Sequence, residues 1–214
     1  MPFPFRSPFL SYEKINELVE DFLEKHRIGS RLPVPIDEVI EFEYGIDIVP
    51  FPNLQSDFDI DGFISGDLSS IYVDDSIFRT RPFRYRFTLA HEIGHLVLHK
   101  DLIGNIHPRS VAEWREFILQ VDQEAYDWVE WQAYTFAGMV LVPRKSLKED
   151  FVRRIKGLRE KIALVKSADL PRDSYLEYVI NAIATDLIEK YGVSKEVLIK
   201  RITKEVEKGT FKIP

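Results

Sequence analysis

The sequence predicts an α+β fold, a small antiparallel sheet set among helices and followed by an α-helical C-terminal extension. Three observations lead there. Strand-like segments at 46–51, 62–65 and 69–73 lie close together, and the Gly66-Asp67 pair reads as a tight turn between the last two. Elsewhere the apolar residues recur at helical spacing. The charge also changes along the chain: residues 1–143 hold 12 Lys+Arg against 24 Asp+Glu, while residues 144–214 hold 17 against 11. The sign of the net charge reverses at Pro143, which divides the chain into a unit at 1–143 and a helical C-terminal unit at 144–214.

The elements follow in order. Ser11 begins a helix whose apolar face is Ile15, Leu18, Val19, Phe22 and Leu23, with Gly29 just past its end. Pro35 opens a shorter helix through Val39, Ile40 and Phe42, closed at Gly45. The strand segments come next. Pro82 then precedes a helix that runs to about His99, and a loop at 100–109 contains Gly104 and Pro108. Helical periodicity returns through 114–119 and again from about Glu124 to Leu141, where Pro143 stops it. The remainder reads as helices around 145–165, 174–190 and 195–208.

Composition removes several classes of protein. A chain that is 45% hydrophobic, with 3 Trp, 9 Tyr and 15 Phe, can bury a core and is not disordered. It has no cysteine, so disulfides, a thiolate nucleophile and Cys-ligated metals are excluded, and His, Asp and Glu are the strong ligands left. The opening MPFPFRSPFL has no charged leader, and Pro2, Pro4 and Pro8 break any apolar helix, unlike a secretory signal. The longest apolar run, at 136–143, is far short of the ~20 residues of a membrane span. The expectation is a soluble cytoplasmic protein with no membrane partner.

The segment Phe87-Thr-Leu-Ala-His91-Glu92-Ile-Gly-His95-Leu-Val-Leu-His99 is the most informative. On a helix, residues four apart are rotated by roughly 40°, so His91 and His95 stack one turn apart and both imidazoles can reach one ion. Glu92 lies at the edge of that stripe, near enough to take a proton from a water at the ion without ligating it. This HExxH spacing is the zincin arrangement. Phe87 and Leu98 are expected to bury on the neighbouring flank. A zinc site needs a third protein ligand. The metzincin pattern fails, because its Gly and His positions hold Leu98 and Asp101. His99 is displaced too far along the axis to share the ion and reads as a structural or substrate-side histidine. Carboxylates of the next helix remain: Glu124, Asp127 and Glu130. Glu130 is followed by Ala133, Ala137 and Gly138, small residues that let two helices approach closely.

Together with Glu130-Trp-Gln-Ala133-Tyr-Thr-Phe136-Ala137 and Leu141-Val-Pro143, the His91 segment resembles the ImmA/IrrE family of zinc peptidase-like proteins. Pro33-Val-Pro-Ile-Asp37 and Gly45-Ile-Asp-Ile-Val49 are similar to the family as well, and the resemblance covers roughly residues 11–143. It implies a zincin-like domain with Zn2+ (Mn2+ or Fe2+ as alternatives) on His91, His95 and Glu130, and Glu92 as the catalytic base. It further implies a site-specific metallo-endopeptidase whose substrate is a helix-turn-helix transcriptional repressor. The alternative is a non-cleaving regulatory or toxin-antitoxin component that binds a repressor, and the intact Glu92 argues against it.

This sequence departs from the family at Tyr134, where Asn or Asp is usual. A phenol there can hold a ligand histidine by its second ring nitrogen, stabilise an oxyanion, or fill the core. In the C-terminal unit, Gly192-Val193-Ser194 between two helical patterns has a helix-turn-helix layout, and Lys195, Lys200, Arg201 and Lys204 are candidates for phosphate or partner contact. Direct DNA binding competes there with a packing or partner-docking hairpin. The charge asymmetry favours docking of the protein substrate by this basic unit.

Overall fold

In the computed structural model, which describes residues 8–103, 121–160, 162–163 and 171–214, the chain starts its first helix as its sequence anticipates. The Ser11 hydroxyl accepts the Lys14 N–H at 3.2 Å, and α1 (Tyr12–Lys25) buries Ile15, Val19 and Phe22. Its successor is not the simple helix expected. A single turn, α2 (Ile36–Glu38), widens into a π-helical turn at Val39–Glu43. The wider turn carries the adjacent Val39 and Ile40 together into the core and leaves Phe42 exposed.

The sheet is mixed, which corrects the antiparallel expectation. Strands β1 (Asp47–Phe51), β2 (Gly62–Ile64) and β3 (Ser70–Asp74) lie in the order β1-β3-β2. β2 and β3 form the antiparallel hairpin, but β1 pairs with β3 in parallel, Asp47 opposite Ser70 and Phe51 opposite Asp74. Burial explains the order. Ile71 and Val73 of β3 are fully buried and claim the middle of the sheet. A short helix that sequence periodicity missed, α3 (Leu54–Phe58), separates β1 from β2 and lets β2 reach the far edge. The hairpin turn also differs from expectation, since Leu68 rather than Gly66 takes the left-handed conformation, at φ 59°. The Asp67 carboxylate knits this turn by accepting from the Ser65 hydroxyl and the Ser69 N–H and hydroxyl.

After β3 comes a second unanticipated helix, α4 (Asp75–Thr80). Asp74 caps it through the N–H groups of Ser76 and Ile77, at 2.9 and 3.2 Å, and its other oxygen accepts the Gln55 N–H of α3 at 3.0 Å. Asp74→Ala releases three backbone donors at a buried point. We expect it to cost about 2–3 kcal/mol of stability, read from urea unfolding.

Helix α5 (Pro82–Ile103) passes beyond His99, into what the sequence suggests is loop, but its backbone leaves helical geometry at His99, with φ −130° and ψ 23°. The second long helix, α6 (Gln123–Leu141), starts at the Asp122 cap and ends before Pro143. Gly94 of α5 meets Ala133 of α6 so closely that a Cβ on Gly94 would lie 3.1 Å from the Ala133 carbonyl oxygen. The rest of the anticipated 100–109 loop from residue 104, the pattern at 114–119 and the end of the one at 145–165 fall outside the described residues.

The C-terminal helices are α7 (Arg144–Gly157), α8 (Arg172–Tyr191) and α9 (Lys195–Glu207). The core runs without a break across Pro143, with Phe136, Met139 and Leu141 in the same cluster as Phe151, Ile183, Leu187 and Leu198. Polar bonds cross there too. Arg201 of α9 donates to the Val142 carbonyl and to Glu205, while Arg144 donates to Glu205 at 2.9 Å and to Glu13 of α1 at 2.7 Å. No helix among the described residues is long and apolar enough to cross a membrane.

Candidate metal centre

Helix α5 buries Leu89, Ala90, Ile93 and Leu96 against the core, which turns His91 and His95 toward α6. Phe87 and Leu98 pack at the margin of that core and are half-buried. The Gly94–Ala133 contact brings α6 in so far that Glu130 stands directly over both imidazoles. Its Oε2 is 3.2 Å from His91 Nε2, its Oε1 is 3.3 Å from His95 Nε2, and the two Nε2 atoms are 2.9 Å apart. Ligand bonds of ~2.0–2.1 Å in a tetrahedral zinc site set neighbouring donor atoms about 3.3 Å apart, so this donor set fits one divalent ion. Among the described residues it is the His/Asp/Glu group able to do so. The other carboxylates considered from the sequence do not join it: Asp127 accepts from Gln123 at 2.7 Å and Glu124 is exposed.

Glu92 sits beside this group, outside the donor set. It is buried, its Oε2 accepts the Ile64 N–H of β2 at 3.0 Å, and burial pushes its carboxyl up to about 7. The charge of Glu130 adds to that shift, whereas His95 and the Ile64 N–H oppose it. For Glu130 burial alone would raise the pKa, but the facing imidazoles of His91 and His95 outweigh it and hold this carboxyl well below its usual range. The two carboxyls therefore differ in kind, one an anion among imidazoles and the other poised near neutrality.

His99 turns away from the donor set. It is buried between His95, whose Nδ1 is 3.2 Å from its own Nδ1, and the Gln132 Oε1, 3.0 Å from its Nε2. Burial, then the neighbouring His95, lowers its pKa to about 4. Tyr134 is 55% exposed, which removes the core reading. Its ring packs on His91 at 4.4 Å and stacks on Phe87 at 5.7 Å. It does not hold His91 by hydrogen bond, because His91 Nδ1 is buried with no hydrogen-bond partner among the described residues. One contributor was overlooked in the sequence. The Tyr126 hydroxyl hydrogen-bonds Glu130 from one turn earlier on α6, a four-residue spacing that the sequence displays.

His91, Glu92, His95, Tyr126, Glu130 and Tyr134 line a 560 Å³ cavity, which shares Phe87, Tyr134 and Val197 with a second one of 620 Å³ between α6 and α9. The α8–α9 turn forms part of both walls. Gly192 takes φ 60°, Ser194 caps α9, and Arg86 of α5 donates to the Gly192 carbonyl at 3.1 Å. The hairpin is thus seated on the helix that carries the histidines. Lys200 and Lys204 border the second cavity, and Lys195 lies outside both linings. Arg201, expected to face a partner, is buried instead, because its guanidinium is consumed by Glu205, Tyr12 and the Val142 carbonyl.

Fold and site together define an α+β protein with a His-His-Glu group between two packed helices and an unligated carboxyl beside it. The chain belongs to the Peptidase_M78 family, described as the IrrE N-terminal-like domain, which it matches over residues 43–203. Among solved structures, a Mycobacterium tuberculosis transcriptional regulator is similar in fold, with a TM-score of 0.50 at 17% sequence identity. That similarity covers 86% of this chain and 44% of the regulator, so the chain spans less than half of the regulator's length. No curated protein matches the chain.

Proposed function

We propose that the chain is a zincin-like, metal-dependent endopeptidase that cuts a protein at one site, with Glu92 as general base and acid. The observation that carries this reading is a buried, non-ligating carboxyl, poised at about 7, beside a three-donor cage. His91, His95 and Glu130 would hold the ion, Zn2+ by donor type, with Mn2+ or Fe2+ as alternatives. When bound, the ion supplies Lewis acidity, which polarises a scissile carbonyl and lowers the pKa of a water towards ~7. Glu92 accepts the proton of the attacking water and returns it to the leaving amine, held in place by the Ile64 N–H. Tyr134, which lines the cavity, would stabilise a developing oxyanion.

For substrate the family resemblance favours a helix-turn-helix repressor. The two adjoining cavities support a polypeptide that extends past the scissile bond along α9, with residues 144–214 as the docking unit. A seat on α5 favours this over DNA contact by the hairpin. Incubation with a candidate helix-turn-helix repressor and Zn2+ is expected to give one discrete fragment pair. A stable complex with intact repressor would favour the non-cleaving regulatory or toxin-antitoxin role. His91→Ala and Glu130→Ala should each abolish stoichiometric metal binding, and elemental analysis that finds one ion per chain in either variant would remove that residue from the cage.

A further inference from the structure

Gln132 of α6 is fully buried, and its surroundings leave it one orientation. One terminal atom lies 3.2 Å from the Pro8 carbonyl oxygen, which can only accept, so that atom is the donating Nε2. Oε1 therefore faces His99 Nε2, 3.0 Å away. An amide oxygen has no proton to give, so His99 carries its proton on Nε2. A neutral imidazole has one N–H, which leaves a lone pair on His99 Nδ1 facing His95 Nδ1 at 3.2 Å. Only the proton of His95 can join those two atoms. It must lie on Nδ1, and His95 Nε2 is left bare, toward His91 and Glu130.

Pro8, Gln132, His99 and His95 thus form a directional chain whose anchor is a backbone carbonyl. We infer that Gln132 and His99 are positioning residues that fix the tautomer of His95 and thereby set the affinity of the cage for its ion. The inference rests on the cage proposed above. Among the described residues His91 has no such chain, its Nδ1 being buried without a hydrogen-bond partner there, so the preorganisation acts through His95.

The test compares wild type with His99→Leu, His99→Asn and Gln132→Met. The asparagine amide oxygen can replace Nδ1 as the acceptor, and neither leucine nor methionine offers an equivalent group. Two-bond nitrogen–proton NMR spectra of the metal-free proteins report the His95 tautomer, and zinc affinity is measured by competition with a chelating dye. In wild type the proton is expected on His95 Nδ1. His99→Leu and Gln132→Met should lose that signature and 10–100-fold in zinc affinity, while His99→Asn keeps most of both. Thermal unfolding of the metal-free variants identifies any that fail to fold. A His95 protonated on Nε2 in wild type, or a folded His99→Leu that binds zinc as tightly as wild type, would overturn the inference. The spectra need neither metal nor substrate, so the chain stands or falls separately from peptidase activity.

Discussion

Glu92→Gln should keep one metal ion per chain and lose about 10²–10⁴-fold in peptide hydrolysis, because the amide preserves the shape but cannot accept the water's proton. Elemental analysis beside a cleavage assay separates this outcome from loss of the ion, which would make Glu92 a ligand. The same substitution has a second signature in the metal-free protein. The Glu92 carboxyl is raised from 4.5 to about 7 in the folded state, so the fold binds a proton that the unfolded chain has released. Its contribution to stability is complete below about 4.5 and is lost as pH rises through about 7, a difference on the order of 3 kcal/mol. Urea unfolding of the metal-free protein should show that decline, and Glu92→Gln should flatten it. An unchanged slope in the variant would place the titration elsewhere.

Arg201→Met is the largest stability effect we expect. Glu205 is fully buried, and its Oε1 accepts from Arg201 at 3.0 Å, Arg144 at 2.9 Å and Tyr12 at 3.1 Å. Removing Arg201 strips charge from a carboxylate that cannot reach water, and loss of one partner of such a pair costs about 3–5 kcal/mol. The double variant Arg201→Met, Glu205→Leu should recover much of that loss. If the single variant unfolds at the wild-type urea concentration, the network contributes nothing net. Reversing the charge of Arg201 therefore tests folding, and the docking role of α9 is tested at Lys200 and Lys204.

The mixture of legible and hidden features has physical reasons. The spacing of His91, Glu92 and His95 is a statement about helix rotation, and it survives folding intact. Glu130 could be narrowed down through its small neighbours, because Ala133 and Gly94 are what allow α5 and α6 to touch. Sheet order was hidden, since alternation tells which residues point inward and not which strand lies in the middle. Arg201 was misread for a related reason: a guanidinium reads as surface until Glu205, four residues on, is known to be buried with it. His99 lies outside the His91–His95–Glu130 group, yet its link to Gln132 joins positions 33 apart in sequence. No local pattern encodes such a pairing.

The Gly94–Ala133 contact divides α6 into two faces with different freedoms. On the inner face the separation of the helices is set by main-chain atoms, at a distance where a single methyl group already intrudes. Exchanges of outer side chains cannot loosen that spacing. Trp128 and Trp131 on the outer face carry no such burden. Substitutions there can change what the helix presents to a neighbouring chain while the atoms of His91, His95 and Glu130 keep their separations.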